Sequence, residues 1–263
     1  MSIFPRSSSP SAANTRVTVV LNDIQVPFQD KRVLSLVLKF VDELKPDEVV
    51  LNGDVVDCYS ISDFDRDPLT KASLSREIRE AGQLMHRLRN IPRKVWIGGN
   101  HEDRLRRHVW KNTKLISGMD DKTRAVVVTA MGFPEVFGLG EYGFDWVPYG
   151  GLYKIGKLTA THGSMVRRHS GDSGRAHLDK YGTSVIIGHT HRGGITYRRD
   201  VRGVHAAYEN FCLCRLDPEW TQHPNWQHGF SVVHTDVRSG FFNVQSIPIL
   251  PGPQFWYGGT RVL

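Results

Sequence analysis

Three short apolar runs in the first hundred residues each break off into a cluster of Gly, Asp, Asn or His, and two helical periodicities separate them. The runs are VTVVL at 17–21, EVVLN at 48–52 and KVWI at 94–97. Their brevity and β-branched content read as buried strands. Between the first two, Val33, Val37, Phe40, Val41 and Leu44 recur at helical spacing over 31–44, and Pro46 closes that helix. Between the second and third, Leu74, Ile78, Ala81, Met85 and Leu88 mark an apolar stripe within a helix expected over 70–90. Strand, helix, strand, helix, strand implies crossover units with parallel strands. Such sheets bind ligands beyond the carboxyl ends of their strands, where the polar clusters stand.

Farther along, the pattern loosens. Residues 104–110 start helical, and the chain then turns Gly- and aromatic-rich to 150, so 104–150 is expected to form a cap or insertion over the site. Strands return at 157–161 and 184–187 with a helix near 172–181, and 195–247 reads as antiparallel strands of a second sheet. The Ser- and Pro-rich residues 1–15 lack an apolar core and read as a disordered tail rather than a signal peptide. A domain over 16–247 remains, followed by a Pro- and Gly-rich tail over 248–263 expected to lay Phe255, Trp256 and Tyr257 on the surface. The fold class expected is α/β.

No apolar run is long enough to span a bilayer, so no membrane partner is expected. The cysteines are Cys58, Cys212 and Cys214, an odd and low count that argues against a disulfide framework and for a reducing, cytoplasmic setting. Cys212 and Cys214 would share a face if that segment is a strand, but they lack a second thiol pair to complete a metal site, and read as small buried apolar side chains. A net charge of +7 suits a polyanionic partner such as nucleic acid or a nucleotide. No zinc-finger, RNA-recognition or basic-zipper pattern accompanies it.

Five strand-end clusters carry the chemistry: Asp23-Ile24-Gln25, Gly53-Asp54 through Asp57, Gly99-Asn100-His101-Glu102, Thr161-His162-Gly163 and Gly188-His189-Thr190-His191. Each taken singly fits a turn cap or a hydrogen-bonded histidine. All five in order, each just after an expected strand, do not reduce to packing. Together they offer carboxylates, amide oxygens and imidazoles, a donor set that suits Mn²⁺, Zn²⁺ or Fe.

The clusters resemble the motifs of the calcineurin-like metallophosphoesterases: D-x-H, GDxxD, GNH followed by Asp or Glu, a lone His, and GHxH. The resemblance implies two mixed sheets packed as a sandwich flanked by helices, and a dinuclear site. In such sites two cations about 3.5–4 Å apart hold a phosphate ester and activate water to hydroxide. It would assign Asp23, Asp54 and His191 to one cation and Asn100, His162 and His189 to the other, with Asp54 shared. His101 would serve as general acid or phosphate binder, oriented by Asp57, which read alone is equally a turn cap. Mn²⁺ is the cation expected foremost, with Mg²⁺, Zn²⁺, Fe or Ni²⁺ as alternatives.

Two departures stand out. Gln25 replaces the histidine of the first motif, which points to a looser first site favouring Mn²⁺ or Mg²⁺, or to one filled only with substrate. Cys58-Tyr59 follows Asp57 where the Ser/Thr protein phosphatases carry Arg-Gly, so the phosphate clamp must come from elsewhere. Arg104, Arg168 and Arg192, each soon after a candidate-ligand motif, are the expected clamps; a solvated face is the alternative. The function expected is hydrolysis of phosphomono- or phosphodiesters, with a nuclease or nucleotide phosphodiesterase fitting the charge. The rival reading is a non-catalytic scaffold, the use one retromer subunit makes of this fold.

Overall fold

In the computed structural model, residues 14–63, 69–112, 114–218 and 221–263 are described. Side-chain alternation along β1 (Thr15–Leu21) sends Val19 and Leu21 to one face and Val20 to the other, and all three are fully buried. A strand buried on both faces must lie inside a layered structure. On one side, Val19, Leu21, Val49 and Leu51 of β2 (Glu48–Asn52) and Trp96 of β3 (Arg93–Ile97) pack beneath α1 (Lys31–Leu44) and α2 (Leu74–Arg87). On the other, Val20, Val50, Val95 and Ile97 meet the second sheet.

Local chemistry sets the helix bounds. The Asp30 carboxylate caps α1 by accepting from the amides of Arg32 and Val33, and Lys45 ends it in the left-handed region just before Pro46. Ser73 caps α2, which therefore starts later than the expected residue 70.

The expected insertion holds α3 (Asp103–Lys111), α4 (Lys114–Ser117), α5 (Asp121–Ala130), α6 (Phe133–Val136) and a 3-10 turn at Leu139–Tyr142. It is shorter than 104–150, because β4 (Asp145–Val147) pairs parallel with β3 and belongs to the first sheet. The second sheet comprises β5 (Tyr153–Ile155), β6 (Leu158–Ala160), β7 (Val185–Ile187), β8 (Gly193–Asp200) and β9 (Gly203–Asn210), in the order β5-β6-β7-β9-β8. Its outer face is covered by α7 (Asp172–Tyr181), where Leu178 packs on Val185, Ile187 and Ala207. The layers are helices, sheet, sheet, helix.

Two expectations are corrected. Residues 195–247 do not all join the second sheet. β10 (Gly229–Asp236) pairs antiparallel with β1, and β11 (Phe242–Pro248) pairs with β10, so the first sheet runs β11-β10-β1-β2-β3-β4. Strand periodicity says nothing about which open edge a strand will meet, and β1 offered one. Nor is the C-terminal segment a surface tail. It folds into a hairpin of β12 (Phe255–Tyr257) and β13 (Thr260–Val262), and Phe255 is fully buried with its ring 5.2 Å from those of Phe40 and Phe230. Of the expected N-terminal tail, residues 1–13 lie outside the described residues, and Thr15 already opens β1. Among the described residues no helix is long and apolar enough to cross a membrane.

Candidate metal centre

The loops after β1, β2, β3, β6 and β7 meet at one end of the sandwich. They must reverse sharply there, and the backbone records it. Asp23, Gln25, Asp54, His189 and His191 all have positive φ, between 49° and 68°. Non-glycine residues rarely adopt this region, and such strain gathers at functional sites. Glycine is required where loops touch. A Cβ on Gly99 would lie 2.1 Å from an Asp54 carboxylate oxygen, and one on Gly53 would lie 2.3 Å from the His162 ring.

Asp54 sits at the centre. Its Oδ2 lies 3.1 Å from His162 Nε2 and 3.7 Å from His101 Nε2, and its Oδ1 accepts from the His101 amide at 2.9 Å. His162 donates Nδ1–H to the Asn52 carbonyl at 2.9 Å, which turns Nε2 toward Asp54 and toward Asn100 Oδ1 at 3.2 Å. The His189 ring stands 5.3 Å from that of His162, and the His189 amide donates to Asp23 Oδ2 at 3.0 Å. His191 Nε2 lies 3.0 Å from Asp23 Oδ1 and 3.3 Å from the Gln25 side-chain amide. Asp54, His162 and His189 form one trio whose donor atoms lie within 4.8 Å of one another; Asp23, Asp54 and His191 form a second. The structure thus brings all seven candidate metal-site residues of the sequence reading to one place, with Asp54 in both trios.

Two observations fit this donor set to divalent cations. Asp23 Oδ1 is fully buried 3.0 Å from His191 Nε2, so a cation held by both would take the place of the proton between them. The donors mix imidazole nitrogen with carboxylate and amide oxygen, as Mn²⁺ and Zn²⁺ accept.

The same positions shift one another's protonation. Burial pushes Asp54 up, but the imidazoles of His101 and His162 outweigh it and hold its carboxyl well below the usual range. Burial disfavours the charged form of His162, yet the Asp54 carboxylate raises it to about 9. His191 rises well above its ordinary value against burial, through the Cys214 thiol and Asp23. His189, pushed down by burial and by His162, falls to about 4. His101 rises, because Asp54 and Asp57 overcome its burial.

Several supporting groups escaped sequence reasoning. Glu102 is buried; its oxygens accept from the amides of Gly99 at 2.7 Å, Asp54 at 2.9 Å, Val55 at 2.7 Å and Val56 at 3.3 Å. One carboxylate thereby staples two of the loops together. Its place in GNHE is the only local signal of it. Glu77, fully buried on α2, does the same for the next turn by accepting from the amides of Cys58 and Tyr59, and burial pushes it up to about 8. Nothing near Glu77 in the sequence marks that role. Cys212 and Cys214 are buried as expected, but they are not merely packing. Cys214 Sγ lies 3.7 Å from His191 Nδ1, and the two thiols and that ring form a third close group. Burial would raise the Cys214 thiol, but Cys212 and His191 bring it down to about 6.

The arginines divide. Arg104 donates to Asp57 through its main-chain carbonyl at 2.8 Å and its carboxylate at 2.9 Å, and places Nη2 3.3 Å from His101 Nε2. Asp57 Oδ2 lies 3.1 Å from His101 Nδ1. Arg168 is exposed on the loop after His162. Arg192 is a correction. It is buried, and its guanidinium donates to the carbonyls of Arg168 at 2.9 Å and Arg167 at 2.8 Å, with Glu209 3.8 Å away. Its donors are committed to holding the 167–168 loop, so it does not serve as a phosphate clamp.

Comparison with known proteins gives the following. The family model described as calcineurin-like phosphoesterase matches residues 17–193. The Gene 54 protein of Mycobacterium phage L5 is 31% identical over 191 residues, covering 67% of this chain and 69% of that protein. The Gene 54 protein of Mycobacterium phage D29 is 28% identical over 255 residues, covering 89% of this chain and 94% of its own length. Among solved structures, Chaetomium thermophilum Vps29 matches with a TM-score of 0.44 and 11% identity, over 92% of this chain and 95% of that one.

Proposed function

Because the chain belongs to the calcineurin-like phosphoesterase family, we propose that it is a hydrolase of phosphoric esters, diesters of nucleotides or nucleic acid foremost, working with two divalent cations. The carrying observation is the pair of donor trios that share Asp54. Asp23, Asp54, His191 and the Gln25 amide would hold one cation; Asp54, Asn100, His162 and His189 would hold the other. Bound there, such cations neutralise phosphate charge and make water acidic enough to attack at neutral pH. Mn²⁺ fits the mixed oxygen and nitrogen set with an amide in place of one imidazole. The net charge of +7 favours a polyanionic substrate.

The chain's own groups manage the proton on the leaving side. Asp57 fixes the His101 ring through Nδ1, leaving Nε2 toward the site. Burial disfavours the charged ring, but Asp54 and Asp57 raise the His101 pKa, which favours a protonated Nε2 able to donate to a departing oxygen. Arg104 Nη2 lies 3.3 Å from His101 Nε2, so an ester oxygen beside the pair would be within reach of both groups. Asp57 thus positions two groups at once.

The test is hydrolysis of bis-p-nitrophenyl phosphate and p-nitrophenyl phosphate by the purified protein with Mn²⁺, Mg²⁺, Ni²⁺ or Zn²⁺. Turnover with at least one cation, abolished by chelation, is the expected result. Silence with all four overturns the hydrolase reading and leaves the family scaffold role.

A further inference from the structure

We propose that the cleft roofed by the inserted helices seats the base of a nucleoside phosphate ester whose phosphorus lies at the metal centre, a proposal that rests on the phosphoesterase reading above. The cleft has a volume of about 320 Å³, and its lining includes Val109, Trp110, Met131, Phe133, Trp146 and Tyr149. Its lining is aromatic: Phe133 stacks between Trp146 and Phe137, with ring centroids 4.8 and 4.3 Å away and planes 21° and 19° from parallel. At its rim Arg106 lies 4.0 Å over the Trp110 ring, with Nε and Nη2 held by Asp103 at 2.6 and 2.9 Å. That pairing holds the guanidinium plane against the indole.

Position ties the cleft to the reaction. Glu102 and Asp103, which line it, directly follow His101, and the Tyr149 ring, which also lines it, stands 6.4 Å from that of His162. A group in the cleft is therefore a short tether from a phosphate at the cations. The rim is also unusually apolar for a water-facing surface: Trp110 is 57% exposed, Met131 42% and Val128 40%. Exposed large side chains grouped beside a polar site mark a surface meant to be covered. A nucleobase matches it, being planar and apolar on its faces and able to stack on aromatic side chains. An acyl chain would leave the stacking geometry unused.

The experiment compares two diesters with the same p-nitrophenol leaving group, thymidine 5′-p-nitrophenyl phosphate and methyl p-nitrophenyl phosphate. The wild type should prefer the thymidine ester by about tenfold or more in kcat/KM, the value of one stacked base. Trp110→Ala should bring that ratio toward one. A wild-type ratio near one, or an equal loss on both esters in the variant, overturns the base seat. Should neither ester be hydrolysed, the phosphoesterase reading fails, and equilibrium dialysis against adenosine monophosphate, a short thymidine oligonucleotide and inorganic phosphate still reads the cleft. Retention of either nucleotide over phosphate, weakened in Trp110→Ala, supports the seat and tells a free nucleotide from a strand. Retention no better than phosphate overturns it.

Discussion

Around His162 the supporting atom is main chain; around His191 it is a side chain. His162 Nδ1 donates to the carbonyl of Asn52, the last residue of a strand paired on both sides. His191 Nδ1 faces the Cys214 thiol, its ring abuts Trp226 at 4.1 Å, and the neighbouring group is the Gln25 side-chain amide. A carbonyl in a β-ladder cannot move or change charge, whereas the Cys214 thiol, brought down to about 6, can change charge, and Gln25 stands on a loop rather than in a strand. The half built on His162 is therefore preorganised, and the half built on His191 adaptable. Partners behind a ligating imidazole tune affinity about 10–100-fold, so the His162 half should hold its cation more tightly.

The comparison can be broken most severely at the residue both halves share. Asp54→Asn should abolish binding of both cations and lower turnover of bis-p-nitrophenyl phosphate by about a thousandfold or more; a variant that still titrates two Mn²⁺ ions would mean that Asp54 belongs to neither half. Next come the halves themselves. By calorimetric titration with Mn²⁺, His162→Ala should cost more affinity than His191→Ala, and the reverse order would discard the rigid-versus-adaptable distinction.

Smaller effects sharpen it. Cys214→Ser should weaken only the His191 half, by about tenfold, while Gln25→His should tighten that half; unchanged affinity in both would show that neither side chain bears on it.

The smallest effect is on pH. His162 is raised from near 6.5 to about 9, so its contribution to metal-free stability is complete below pH 6.5 and fades as pH climbs through 9. The melting temperature of the chelated protein should fall by a few degrees, about 2–4 °C per kcal/mol, across that window. Mn²⁺ affinity should rise over the same window, because binding displaces the proton. A flat melting curve would mean that His162 is neutral without metal.

How much of this was legible in the residues differs by feature. The first βαβαβ unit was, because period-2 and period-3.6 patterns and caps such as Asp30 are local and act before any tertiary contact forms. So were the candidate ligands, because each is a strand-end residue of a distinctive type. The insertion was not: α4 and α6 span four residues each, too short for a period to register.

By itself, then, the sequence determined which side chains would be delivered to the strand ends, and with them the family and the chemistry on offer. What each would face was decided only by the folded chain. Arg192 is spent on its neighbours' carbonyls, Phe255 closes the core, Glu102 staples two loops, and His162 meets a carbonyl 110 residues away. Periodicity fixes which way a side chain points from its own strand. Its partner depends on which distant segment packs alongside, and no local pattern carries that information.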